Sequence, residues 1–153
     1  FNSPEQTVIA GHAAAVQRAM ALLSERGAKR TVALPVSAPF HCSLMQPAAE
    51  KLAQALPDVE LRRPQITLVN NVDVASPDEP DAIRDALVRQ AAAPVRWVEV
   101  IQRMAELGVV TVAECGPGKV LAGLTKRIDR NLNGVALSDG AALEQLAQQI
   151  GVN

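Results

Sequence analysis

Aromatic residues are nearly absent from the 153-residue sequence, which has no tyrosine, two phenylalanines and one tryptophan. Proteins that bind single-stranded nucleic acid stack bases on aromatic side chains, so this mode of binding is not expected. The formal net charge is −1, and such a balanced chain carries no strongly basic surface for DNA or RNA. No apolar run approaches the ~18 residues of a membrane-spanning helix. The composition therefore predicts neither a nucleic acid nor a membrane as partner.

Cysteine is also scarce, and the two cysteines, Cys42 and Cys115, stand far apart. They are compatible with a disulfide, a metal pair or two reduced thiols. The sequence has no Cys-x-x-Cys pair and no Cys/His cluster at zinc spacing, so we expect no metal site. Cys42 directly follows His41, but adjacent side chains rarely face one site, which disfavours a thiol nucleophile. So few cysteines are typical of the reducing cytoplasm, where we expect the protein to act.

Aliphatic residues supply most of the apolar content, which reaches 48% and is typical of a globular protein with a buried core. The N-terminus lacks the segments of a signal peptide, and a first residue other than methionine indicates a start within a longer chain. Apolar spacing predicts helices over 12–26, 43–56, 78–90, 94–108, 119–129 and 141–150. Short apolar runs predict strands over 7–10, 31–36, 66–69, 109–113 and 135–137. This alternation predicts an α/β fold with a mainly parallel sheet.

His41 is the residue best suited to chemistry. It lies where the predicted strand 31–36 ends in a proline-containing loop, just before a predicted helix. In α/β folds such loops commonly carry catalytic groups, and histidine exchanges protons near neutral pH. A serine nucleophile for this base would be expected on a Gly-x-Ser-x-Gly elbow, and no serine of the sequence has those flanking glycines. The sequence predicts a base without its nucleophile.

Several segments, taken together, point to one family. They are Phe1–Gln6, Val8–Gly11, Leu34–Met45, Val69–Asp73, Ile83–Gln90, Pro94–Trp97 and Glu114–Leu121. In this order, and over nearly all of the chain, they resemble the malonyl-CoA:acyl carrier protein transacylase family of acyltransferases. Each segment alone is a weak signal, whereas the set is highly specific. The resemblance covers only the C-terminal half of the family, so the N-terminal half that carries the elbow serine is missing.

The resemblance implies a fold and a reaction. Residues 1–36 would form the C-terminal half of a small ferredoxin-like α+β subdomain, and residues 37–153 the C-terminal part of the large α/β acyltransferase subdomain. The reaction would transfer malonyl from coenzyme A to the phosphopantetheine thiol of acyl carrier protein through an acyl-serine, as in fatty acid biosynthesis. No cofactor is expected beyond the coenzyme A thioester, which is a substrate. The 153-residue segment alone is expected to be inactive, because its serine, oxyanion hole and malonate-binding arginine would lie in the missing half.

The resemblance also assigns roles to single residues. His41 would be the general base and then the general acid, oriented by the backbone carbonyl of Gln90, although Gln90 could also be an ordinary helix end. Asn2 would contact the pantetheine arm, Phe40 the acyl substrate, and Val120 would line the acyl pocket. The Gly116–Gly118 turn lies beside the active site in the family, and we favour a role in backbone geometry over phosphate binding.

Two basic pairs are candidates for docking of the acidic carrier protein, namely Lys126 with Arg127 and Lys29 with Arg30. The alternative for each pair is an ordinary solvated surface. The family match makes the first pair the stronger candidate. An alternative hypothesis is that the whole chain is a non-catalytic module that binds acyl carrier protein. In that case the base at His41 would have no role.

Overall fold

A computed structural model describes residues 1–151. The elements are α1 (Ala13–Glu25), α2 (Gln46–Ala55), α3 (Pro80–Ala92), α4 (Trp97–Glu106), β1 (Thr111–Cys115), α5 (Val120–Ile128), β2 (Asn133–Leu137) and α6 (Gly140–Ile150). Two 3₁₀ turns lie at Ser43–Met45 and Leu56–Asp58. The chain forms two compact units: Val8–Val95 is one, and Phe1–Thr7 joins the chain from Arg96 onward in the other. In the described part of the chain, no helix has both the length and the apolarity to cross a membrane.

The unit from Arg96 onward is built on two parallel strands. β1 and β2 pair in register from Thr111 opposite Asn133 to Cys115 opposite Leu137. Parallel neighbours need a long connection, and α5 provides it. The α/β fold with a parallel sheet that the sequence predicts is therefore confirmed. The N-terminal residues join this unit, because the Val98 N–H donates to the Phe1 carbonyl at 3.2 Å.

Helix α5 lies directly against β2 because Gly134 has no side chain. A Cβ at Gly134 would overlap the carbonyl oxygen of Ala122 and would lie 3.0 Å from its carbonyl carbon. The same helix buries Leu124 and Thr125, and the Thr125 hydroxyl donates to the Leu121 carbonyl at 2.9 Å. The glycine thus permits a close helix–strand contact that any larger residue would prevent.

The Val8–Val95 unit has its core between α2 and α3. Ala49, Leu56, Ile83 and Ala86 are buried there. Arg84 joins α3 to the end of α2, because its Nε donates to the Leu56 carbonyl at 3.2 Å. This packing determines where α3, which ends near Gln90, lies within the unit.

Three predicted strands do not form among the described residues. The segments 7–10, 31–36 and 66–69 belong to no β-ladder there. A strand is stable only when a neighbour satisfies its N–H and C=O groups, and no other described segment pairs with these three. Their apolar side chains are accordingly exposed: Val36 is 62% exposed and Ile66 is 83% exposed. The assignment of residues 1–36 to a ferredoxin-like subdomain stays a prediction, because only α1 is a regular helix or strand in that range.

Candidate active site around His41

His41 lies in a turn whose backbone is held in an unusual conformation. Its φ angle is +60°, in the left-handed region that residues other than glycine seldom adopt. The neighbouring Cys42 thiol donates to the Pro39 carbonyl at 3.2 Å, which closes the turn. The His41 side chain is exposed. Strained residues of this kind concentrate at functional sites, where the surrounding structure maintains the conformation.

The imidazole of His41 faces the end of α3. Its Nδ1 lies 3.4 Å from the carbonyl oxygen of Gln90. A carbonyl oxygen only accepts hydrogen bonds, so this contact favours the tautomer in which Nδ1 carries the proton. In that tautomer Nε2 has a free lone pair and can accept a proton from a substrate or nucleophile. The geometry is that of an oriented general base.

The Gln90 carbonyl is free to accept because the helix cannot continue. Within a helix this carbonyl would accept from the N–H four residues later, but that residue is Pro94, which has no N–H. Ala93 is extended, with φ −112° and ψ 156°, as expected for a residue that precedes proline. The family resemblance singles out Gln90, and Pro94, four residues later, is the sequence signal that its carbonyl lacks a helical partner.

An ion-pair cluster of Arg89, Asp73 and Asp85, which no sequence motif predicts, begins one residue before Gln90. The Arg89 guanidinium donates to both carboxylate oxygens of Asp73, at 2.7 Å and 2.6 Å, and from Nε to Asp85 at 2.7 Å. The hydrogen bonds that Arg89 donates to Asp73, and then the one to Asp85, raise the pKa of Arg89 above its ordinary value, against a smaller opposite effect of burial. The Asp85–Arg89 pair has helical i, i+4 spacing that a sequence can reveal. The Asp73 contact depends on the tertiary fold.

The other predicted substrate residues are divided between the two units. Phe40 directly precedes His41 and is 51% exposed. Asn2 and Val120 belong to the unit from Arg96 onward. Asn2 is half-buried and its N–H donates to the Gln6 carbonyl at 3.0 Å, while Val120 is exposed at the start of α5. The roles of all three in substrate binding stay predictions.

The turn before α5 is held by an acidic side chain. The Glu114 carboxylate accepts from the Ala122 N–H at 2.9 Å, in the first turn of the helix. Gly116 has a φ of +153°, and a Cβ at Gly118 would lie 3.4 Å from Glu114 Oε1. An anionic ligand at this helix start would meet the charge of Glu114. The arrangement favours the backbone-geometry interpretation of this turn over phosphate binding.

The four basic candidates are exposed. Lys126 and Arg127 lie in the last turn of α5, where a cation also interacts favourably with the helix dipole. Lys29 and Arg30 follow α1. Within residues 1–151, none of the four forms an ion pair. Their charges are therefore available to an acidic partner, and their role in docking stays a prediction.

Potential metal ligands are dispersed in the described residues. No group of three or more histidine, cysteine, aspartate or glutamate side chains is placed there to hold a metal ion. Cys42 and Cys115 are both free thiols. Of the three states that two cysteines allow, the structure has two unlinked thiols.

Comparisons with known proteins agree on one family. The family model described as "Acyl transferase domain" matches residues 1–139. The malonyl CoA-acyl carrier protein transacylase of Haemophilus influenzae is 52% identical over 148 residues, which are 97% of this chain and 47% of that protein. A solved acyl carrier protein S-malonyltransferase from Vibrio cholerae is 53% identical with a TM-score of 0.91, over 95% of this chain and 48% of that one. A chain of the solved complex described as a type II PKS acyl-carrier protein with its malonyl-transacylase is 50% identical with a TM-score of 0.94. The match covers 97% of this chain and 48% of that one. The chain spans about half the length of the curated relatives it matches.

Proposed function

The chain belongs to the acyl transferase domain family, and we propose that it supplies the general base of a malonyl-CoA:acyl carrier protein transacylase. The observation that carries the proposal is the contact between His41 Nδ1 and the Gln90 carbonyl, 3.4 Å long. It orients an exposed imidazole at the position that matches the catalytic histidine of the family. The names of the relatives support malonyl as the acyl group and acyl carrier protein as the acceptor.

In the first half-reaction, Nε2 of His41 takes the proton of a serine hydroxyl that lies outside these 153 residues. The serine oxygen attacks the thioester carbonyl of malonyl-CoA, and the tetrahedral intermediate expels the coenzyme A thiolate. His41 returns the proton to that sulfur. Throughout, the Gln90 carbonyl accepts a hydrogen bond from Nδ1–H and stabilises the imidazolium that forms.

In the second half-reaction a sulfur atom is the nucleophile and the serine oxygen is the leaving group. The phosphopantetheine thiol of acyl carrier protein gives its proton to His41 and attacks the acyl-serine. The serine oxygen leaves and regains the proton from His41, which restores the resting enzyme. The transfer thus needs one base that alternates with its conjugate acid, and no cofactor beyond the thioester.

Three features support a serine-bearing segment outside the chain. The relatives are about twice as long, and no serine here has flanking glycines in the Gly-x-Ser-x-Gly pattern. The exposed apolar side chains of Leu34, Val36 and Ile66 are the surface that a further strand would cover. The segment alone is therefore expected to turn over no malonyl-CoA.

The carrier protein would dock through cationic side chains. Lys126 and Arg127 are the leading pair, with Lys29 and Arg30 as the second. Carrier proteins of this family are acidic, so exposed cations would accelerate encounter. We place the reaction in the cytoplasm, in fatty acid biosynthesis.

The test is malonyl transfer by the complete protein that carries this chain. His41→Ala should lower kcat at least about 10³-fold, as removal of a catalytic base does. His12→Ala is the matched control and should retain the parental rate, because His12 precedes α1 and its side chain makes no capping hydrogen bond. If His41→Ala keeps both turnover and carrier binding, the base has no role. Carrier binding without turnover in the unsubstituted protein would instead indicate a non-catalytic binding module.

A further inference from the structure

We propose that Arg89, held by Asp73 and Asp85, is a positioning residue that keeps the Gln90 carbonyl in place against His41. The proposal rests on the function proposed above, because it concerns the orientation of the same base. Arg89 touches no reacting atom. It acts through the backbone of the residue that follows it.

Asp73 stands on a turn that backbone hydrogen bonds hold in place. Asn70 is buried, and its Oδ1 accepts from the N–H groups of Val72 at 3.2 Å and of Asp73 at 2.8 Å. The Asn70 N–H donates to the Ala75 carbonyl at 3.0 Å and closes the turn. Val74 has a φ of +60°, which a β-branched residue adopts only where its surroundings impose it. The backbone that carries Asp73 is therefore held independently of Arg89.

Arg89 lies in the last turn of α3. After Gln90 the helix continues only with Ala91 and Ala92, which are half-buried and have no polar side-chain group. Helix ends fray, and the last carbonyls have no partner within the helix. Arg89 is the last side chain of α3 with hydrogen bonds to a separate segment, since the Asp73 turn lies outside the helix. It therefore restrains the final turn, including the Gln90 carbonyl.

Positioning of the α3 end by this ion-pair cluster is distinct from a contribution to the stability of the fold. Exposed ion pairs usually contribute little to folding, and the side chains of Arg89 and Asp73 are 42% and 38% exposed. A guanidinium that binds one carboxylate through two parallel hydrogen bonds has a defined direction, however, and a third bond to Asp85 restricts it further. The cluster is thus better suited to orienting a backbone than to stabilising the unit as a whole.

The direct test is the tautomer of His41 in the complete protein that carries this chain, read from long-range ¹H–¹⁵N correlation spectra. Asp73→Asn should shift His41 from the Nδ1–H form toward the Nε2–H form that predominates in free histidine. We expect the ratio of the two forms to change on the order of tenfold, as when the outer partner of an oriented histidine is lost. Arg89→Lys keeps the charge but not the paired hydrogen bonds, and should give an intermediate shift. His12 provides the reference signal within each spectrum.

Asp81→Asn is the matched control. It makes the same Asp→Asn substitution in a different ion pair, the one that Arg84 forms with Asp81 near the start of α3. It should leave the His41 tautomer unchanged. If Asp73→Asn disrupts folding, as judged by the amide spectrum, Arg89→Lys replaces it, because that substitution removes the paired hydrogen bonds to Asp73 while keeping the charge, and an unchanged His41 tautomer in folded Arg89→Lys would overturn the positioning role.

Kinetics of the complete protein distinguish the two proposals. Asp73→Asn should lower kcat on the order of 10-fold to 100-fold while KM for malonyl-CoA stays unchanged, since a misplaced base slows the reaction without weakening substrate binding. If His41→Ala has no effect, the proposed function fails. If His41→Ala abolishes turnover but folded Asp73→Asn alters neither the tautomer nor kcat, only the positioning role is overturned.

Discussion

Nδ1 of His41 lies 3.4 Å from the carbonyl oxygen of Gln90, a residue 49 positions later in the chain. The partner of this imidazole is a neutral backbone group rather than a carboxylate. Its position therefore depends on where a helix ends, not on the rotamer of a side chain. Any substitution that changes the end of α3 should act on His41 at a distance.

Pro94→Ala tests this dependence. The substitution supplies an N–H four residues after Gln90 and releases Ala93 from the restriction that proline imposes. We expect α3 to extend by up to one turn, so that the new N–H competes with His41 for the Gln90 carbonyl. Carbon chemical shifts of residues 91–94 should become helical, and the His41 tautomer should move toward Nε2–H.

Pro77→Ala is the control for Pro94→Ala, because Pro77 lies in the loop before α3 and leaves the end of that helix untouched. Its spectrum should retain the parental His41 tautomer. An extended α3 together with an unchanged tautomer would show that the Gln90 carbonyl does not orient the imidazole.

Carrier docking should depend on the exposed cations at the end of α5. Replacing Lys126 and Arg127 by glutamine keeps polar side chains but removes two charges, which should slow association with acyl carrier protein severalfold at low salt. The difference should vanish near ~1 M salt, where screening acts over about 3 Å. Stopped-flow binding at several salt concentrations measures both effects.

Arg62→Gln is the matched control for docking, since Glu60 already neutralises that cation at 2.9 Å. The second candidate pair, Lys29 and Arg30, is tested with the same two substitutions. Equal association rates for the Lys126/Arg127 variant and the parent at low salt would remove this pair from the docking surface.

The close packing of α5 against β2 predicts opposite effects for two glycines. Gly134→Ala places a methyl group against the Ala122 backbone and should destabilise the fold by about 1–3 kcal/mol. Gly123→Ala has open space around the new methyl group within α5 and should stabilise the fold by about 0.5–1 kcal/mol. Urea unfolding of the 153-residue chain measures both. Equal stabilities would mean that β2 does not lie against α5.

Acid should weaken the start of α4. The hydrogen bond from Arg96 holds the pKa of Glu99 below its ordinary value, although partial desolvation acts in the opposite direction. Because the folded pKa is lower than the unfolded one, the stabilisation is complete above the ordinary glutamate pKa of about 4.3 and is lost as pH falls through the folded pKa. Glu99→Gln should therefore flatten the decline of stability below that pH, measured by urea unfolding. An unchanged slope in Glu99→Gln would show that the pair with Arg96 does not contribute to this pH dependence.

Much of the secondary structure could be predicted because its determinants are local. The apolar spacing within each helix and the prolines and glycines between helices lie within a few residues of one another, and the six predicted helices end within about three residues of the observed ones. The strands that became β1 and β2 were predicted for the same reason. The segments 7–10, 31–36 and 66–69 have equally strong strand patterns, but a strand also needs a neighbour, and no pattern within a segment reveals whether a partner is present.

The sequence by itself determined the α/β class, the parallel arrangement, the loop position of His41 and, through Pro94, a Gln90 carbonyl without a helical partner. Only the tertiary structure decided that this carbonyl faces His41 and that Asp73 reaches Arg89 across 16 positions. Both contacts arise from the packing of α3 against α2 and from the turn that Asn70 closes. The sequence indicates which polar groups lack a local hydrogen-bond partner. The packing of helices and turns against one another determines which distant group becomes that partner.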